Sequence, residues 1–147
     1  MSRRLSRPSG HPPPEHIVLG SDRIDLKPVA ELTTERFLDA FPDELDRYAD
    51  PDRVREWCEH DTRHLIGWAA AEVRYGSPLA KQLDWLGTVL ESRGYPVARL
   101  ADTLEIAAGV LVERAGAPAL PVADVLRRGS EHVRATPSFL AAPRDDS

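Results

Sequence analysis

Residues 77–96 read SPLAKQLDWLGTVLESRGYP. Ser77-Pro78 is a helix start, because proline fits the first helical position, where no amide hydrogen is needed. Leu79, Leu83, Leu86 and Leu90 follow at i, i+4, i+7 and i+11, an apolar seam with helical period. Gly94 supplies the left-handed residue that closes a helix, and Tyr95-Pro96 turns the chain. This one segment therefore predicts a complete amphipathic helix with both ends marked.

Working outward, the same punctuation recurs on both sides. Upstream, Asp50 is the expected N-cap and Pro51 the first helical residue of a helix that runs to about Tyr75 and stops at Gly76. At about 1.5 Å per residue it would be roughly 36 Å long. Its inward positions are expected to be Val54, Trp57, Cys58, Asp61, His64, Leu65, Trp68, Ala69, Glu72 and Val73. Downstream, Val97, Leu100, Leu104, Ala107, Leu111 and Val112 repeat the helical spacing to about Arg114. The short links Gly76-Ser77 and Gly94-Tyr95 predict that these three helices are antiparallel neighbours. Arg53–Val112 thus forms the expected centre of the domain.

An earlier helix is expected from an N-cap at Asp25, with Pro28 in its first turn and Phe41-Pro42 at its end. Asp43–Ala49 reads as a short helix with Leu45 and Tyr48 inward. After a Gly/Pro linker, Pro121 opens a last helix carrying Val122, Val125, Leu126 and Val133. The fold class is all-α: an antiparallel bundle of about four main helices plus a short one, over residues 25–135. Residues 1–24 are expected to be a flexible leader rich in Arg and Pro, with Pro12–Pro14 favouring polyproline geometry. Within it Ile17-Val18-Leu19 is a short apolar patch, with a strand lying on the bundle as the alternative to a loose leader. Residues 136–147 are expected to be a flexible tail.

Composition narrows the function classes. The 147 residues carry a net charge of −5, which argues against a dedicated nucleic-acid surface. No apolar run approaches the ~20 residues of a membrane span. Arg3, Arg4 and Arg7 are followed by prolines and not by an apolar segment, so a signal peptide is not expected. Cys58 is the only cysteine, so neither an internal disulfide nor a cysteine-based zinc site is expected, which fits a reducing cytoplasm. Asp25 to Glu56 holds ten acidic and five basic side chains. That is a solvated face or a surface for a basic partner.

Four candidate sites lie on or near the long central helix. His60 and His64, four residues apart with Glu56 one turn earlier, would line up as metal ligands on one helical face. Asp61-x-x-His64, with Glu72 and Glu105 from other inward positions, is part of a carboxylate-bridged di-metal pattern whose second pair is missing. Trp57, Trp68 and Trp85 would enclose a flat tetrapyrrole with His64 as axial ligand. Asp61, as an inward carboxylate, needs a partner, and Arg99 or Arg114 would supply it. It then either pins helix register or lines a pocket. Cys58 sits among acidic neighbours that oppose thiolate formation, so an inert thiol is expected. No cofactor is favoured.

The segments His64–Ala71, Gly76-Ser77-Pro78, Leu83-Asp84-Trp85-Leu86, Leu90–Pro96 and Leu104-Glu105 together resemble the helical-bundle module found upstream of cobalamin-binding domains in bacterial sensors and regulators. That resemblance implies a helical regulatory bundle. The Asp-x-His-x-x-Gly motif of the corrin-binding domain is absent, and no tryptophan lies ten residues before Glu59-His60. A stand-alone, non-enzymatic bacterial regulatory or protein-interaction module, acting through a protein partner or self-association, is the leading expectation. A metal- or tetrapyrrole-binding sensor or enzyme using Glu56, His60, Asp61 and His64 is the alternative.

Overall fold

The computed structural model describes residues 12–46 and 49–140. The expectations for residues 1–11, for Tyr48 and for residues 141–147 lie outside the described residues. The first elements among the described residues are two strands, β1 (His16–Leu19) and β2 (Asp22–Asp25). Among the described residues five α-helices follow: α1 (Leu26–Ala40), α2 (Pro51–Tyr75), α3 (Leu79–Ser92), α4 (Ala98–Ala115) and α5 (Leu120–Ala135). The all-α class is therefore as expected. The short helix of residues 43–49 is a 3-10 turn over Pro42–Asp46 instead.

Most helix ends fall where proline and glycine put them. Asp50 caps α2, its Oδ1 accepting from the Asp52 amide at 3.0 Å, and Pro51 follows. Gly76 ends α2 at φ +77°, and Gly94 takes φ +76° after α3, both in the left-handed region where a side chain would be strained. Asp25 holds the N-cap position of α1 but makes no side-chain cap bond. Phe41 leaves helical geometry ahead of Pro42, at φ −132° and ψ 70°, as the residue before a proline must.

Part of the expected flexible leader is built into the fold. β1 and β2 pair antiparallel with Ile17 opposite Ile24, and both isoleucines are buried while Val18 faces outward. Period-two alternation puts these two side chains on the bundle, and the leader is held by that burial. The Arg63 guanidinium fixes the chain further, donating to the carbonyls of Pro14 at 3.0 Å and Pro13 at 3.2 Å. The first residues of the expected tail are also docked. Glu91 accepts from the Ser138 hydroxyl and from the Phe139 amide, both at 2.7 Å, and the Phe139 ring covers Gly87.

The packing centre lies later in the chain than the leucine seam suggests. α4 packs most extensively along α5, α1 against α2 and α4, and α5 against α2, whereas α3 makes lighter contacts with α5 and α2. Gly129 of α5 makes the α3 contact close: a Cβ there would stand 2.9 Å from methyl carbons of both Leu79 and Leu83. The main core includes Leu65, Ile66, Leu83, Leu104, Leu111 and Leu126. Each such buried side chain contributes about 1.5–3 kcal/mol. A second, smaller cluster of Phe37, Leu38 and Val54 is backed by Phe41, Leu45, Cys58 and Ile106, and Ile106 also packs on the main core. On α2, Thr62, Ile66 and Ala70 are buried and Val73 is 40% exposed. Val73 was expected inward; this end of the helix turns that position to solvent. Among the described residues no helix is long and apolar enough to cross a membrane.

Candidate functional site

The gap between the two apolar clusters is a cavity of about 410 Å³. Phe37 and Val54 line it from the smaller cluster, and Leu65, Leu86, Leu90 and Leu100 from the main core. Polar groups enter from Glu44, Trp57, Asp61, Arg93, Tyr95 and Thr103. A cavity of this size with apolar walls and few polar groups has the make-up of a small-molecule pocket.

Its polar end is held by an ion pair. The Glu44 side chain is only 4% exposed. It accepts from Arg99 at 2.5 Å and from the Tyr95 hydroxyl at 3.3 Å. Arg99 also reaches Asp43 at 3.3 Å and lies 4.1 Å over the Phe41 ring. A buried carboxylate persists only when paired and hydrogen-bonded. This guanidinium therefore ties the 3-10 turn to the start of α4 and closes one wall of the cavity. Arg99 was one of two expected partners for Asp61; it serves Glu44 and Asp43 instead. Asp61 has His60 Nδ1 at 3.6 Å, and its side chain is 37% exposed.

Cys58 also lines the cavity. Burial first, and then the charges of Asp61 and Glu44, push its thiol up to about 12. A thiol raised this far stays protonated at neutral pH.

The ligand-pocket candidates do not form one site. Trp57 and Asp61 reach the cavity. His64 and Trp68 instead line a shallower groove of about 420 Å³ between α2 and the leader, with Pro12, Pro14, His16 and Tyr75. At about 100° per residue, His64 lies about 60° round the helix from Asp61, enough to put it under the leader. There the His64 ring meets His60 edge-on, with centroids 5.1 Å apart, and lies tilted against Trp68 at 5.6 Å. Glu72 accepts from the Leu79 amide at 2.7 Å and meets Arg128 at 3.5 Å, so it caps the exposed start of α3. Glu105 accepts from the Ser130 hydroxyl at 3.0 Å and joins α4 to α5.

The metal row is not assembled either. Glu56 is turned to solvent beside Arg53, at 3.9 Å, while His64 is buried under the leader. Among the described residues no three His, Cys, Asp or Glu side chains come together as a metal ion would need. Among the described residues no histidine lines the cavity, so a tetrapyrrole there would find none of their imidazoles as axial ligand. Trp85 packs on the main core and lines neither space.

Several lining residues escape a reading of the sequence. Glu44 lies in the acidic stretch that reads as a solvated face, and nothing in its neighbours marks it as buried. Tyr95 and Arg93 sit at a turn whose glycine and proline explain it fully. Phe37 was recognised only as a helix-packing residue. No known protein family, curated protein or solved structure matches this chain.

Proposed function

We propose that this chain is a non-enzymatic, cytoplasmic regulatory module. It takes up a small, mainly apolar molecule in the cavity and signals its presence through a protein partner or a second copy of itself. One observation carries this reading: the cavity lies in the seam between the two apolar clusters. An occupant touching both would brace the end of α1 and the 3-10 turn against α3, and a ligand bound only by the braced form shifts the population toward it. The resemblance to a module upstream of cobalamin-binding domains supports a regulatory role. The net charge of −5 favours a protein partner over nucleic acid.

The metal- or tetrapyrrole-based alternative has less support, because Glu56 faces solvent, His64 lies under the leader and, among the described residues, no imidazole lines the cavity. The test is a thermal-shift screen of small aromatic and aliphatic molecules against the full chain and against Thr103→Phe, which fills the cavity from α4. A ligand at a hundred times its Kd adds about 2.7 kcal/mol, or roughly 5–10 °C at about 2–4 °C per kcal/mol. Expected are hits on the wild type that vanish in Thr103→Phe. Hits that persist unchanged in the filled variant would overturn the assignment, and so would a screen with none.

A further inference from the structure

We infer that the groove between α3 and α5 is a docking slot for a partner protein, and that it takes a segment in which a hydroxyl residue is followed directly by phenylalanine. The chain's own Ser138-Phe139 fills this slot in cis. This rests on the module acting through a protein partner and not on the cavity, whose lining residues take no part.

The slot is built on one face of α3. Asp84, Gly87 and Glu91 stand at i, i+3 and i+7, which brings them onto a single stripe. Gly87 is the floor: a Cβ there would stand 2.7 Å from carbons of the Phe139 ring, so the ring rests on bare helix backbone. Glycine weakens a helix interior, and here its missing side chain makes room for an aromatic ring. Asp84 sets the far wall, its Oδ1 lying 2.7 Å from Nε2 of His132 on α5. The His132 ring meets Phe139 edge-on, with centroids 6.4 Å apart. Glu91 is the rim. Its two oxygens accept from the Ser138 hydroxyl and the Phe139 amide, each at 2.7 Å. One ionised carboxylate thus reads a side-chain hydroxyl and the backbone of the next residue, in charge-assisted bonds, and sets their register against the ring.

The cis segment can leave without opening a helix. α5 ends at Ala135, and the Thr136 hydroxyl closes it on the His132 carbonyl at 2.8 Å, so the helix is finished before the segment begins. Beyond the ring, Leu140 is 52% exposed. Release uncovers Gly87 and frees Glu91, and a segment of the same chemistry from another chain then makes the same contacts.

The probe is the synthetic peptide acetyl-Thr-Pro-Ser-Phe-Leu-amide. It is titrated into the full chain as wild type, as Phe139→Ala, which vacates the slot, and as Phe139→Ala with Gly87→Ala, which puts a Cβ where the ring would lie. Alanine suits a helix interior, and circular dichroism confirms that each variant folds. Binding is followed by nitrogen–proton correlation NMR. Expected is saturable binding to Phe139→Ala, with shifts at Gly87, Glu91 and His132. Wild type should bind about tenfold more weakly, because a slot filled about nine-tenths of the time by its own ring leaves about one-tenth competent. The double variant, and a peptide with alanine for its phenylalanine, should lose at least about tenfold in affinity, as an unburied aromatic ring predicts. No saturable binding to Phe139→Ala, or equal affinity in wild type or in the double variant, would overturn the slot and leave the thermal-shift result for the cavity untouched. Sedimentation decides the source of the segment. A wild-type dimer that becomes a monomer in Phe139→Ala would put a second copy's tail in the slot and overturn the partner assignment; a monomer in both supports it.

Discussion

Replacing Arg99 with methionine should loosen the wall that closes the cavity, and the loss can be worked from the geometry. Arg99 keeps its aliphatic packing in the variant, but Glu44 loses the donor at 2.5 Å and retains the Tyr95 hydroxyl at 3.3 Å. The Glu44 side chain is 4% exposed and that of Arg99 is 19% exposed, so little water can replace the guanidinium. Removing one member of a buried pair costs about 3–5 kcal/mol. Because Arg99 itself touches solvent, the lower end, about 3 kcal/mol, is expected, with the contact over Phe41 included. At about 2–4 °C per kcal/mol this lowers Tm by roughly 6–12 °C. Urea unfolding followed by circular dichroism measures it. A double variant, Glu44→Gln with Arg99→Met, should recover at least about 1 kcal/mol, since the uncompensated charge is then gone. An Arg99→Met protein within about 0.5 kcal/mol of wild type, or a double variant no better than the single one, would refute the role assigned to this pair.

Three further outcomes are expected. Gly67→Val should lift the proline segment off α2, because a Cβ at Gly67 would stand 2.8 Å from Pro14 Cγ. Proteolysis within residues 12–16 should speed up several-fold while α2–α5 keep their amide protection, and unchanged cleavage would count against the docking. The carboxyl of Glu91 is held below its ordinary value, first by the Ser138 hydroxyl and then by the Phe139 amide. A lowered folded value stabilises the docked segment above the unfolded pKa of about 4.5 and loses that effect as pH falls through the folded value. Amide exchange at Phe139 should therefore accelerate below that range beyond the ordinary pH dependence of exchange, and Glu91→Ala should abolish the protection at pH 7. Cys58, with its thiol pushed up to about 12, should react with a water-soluble disulfide reagent at pH 8 at least about a hundredfold more slowly than in urea; comparable rates would contradict its burial.

Helix boundaries were legible because proline and glycine act locally. Pro51, Pro78 and Pro121 each fall at or next to a helix start, and Gly76 and Gly94 take the left-handed geometry their positions suggest. The hairpin was harder to read. Its strands are four residues each, and they are stabilised by burying Ile17 and Ile24 on helices far along the chain. The order of packing was also hidden. The leucine seam of α3 marks an apolar face but not its partner, and the fit to α5 depends on the missing side chain of Gly129. At the site, helical spacing grouped Trp57 and Asp61, which reach the cavity, with His64, which lines the other groove. What divides them is the leader folding over one side of α2. Glu44 was illegible for a similar reason: its burial is made by Arg99 and Tyr95, more than fifty residues away in sequence.

The central claim is that the cavity between the two apolar clusters is where this protein meets its ligand. The most direct measurement is nitrogen–proton correlation NMR of the full chain titrated with the strongest hit of the thermal-shift screen. Expected are shifts confined to the lining, with the Trp57 indole, Val54, Leu90 and Thr103 moving together and saturating at one affinity, while Trp68 and Trp85 stay in place. Shifts centred on His64, Trp68 and Tyr75, or no saturable shift at Trp57, would contradict it.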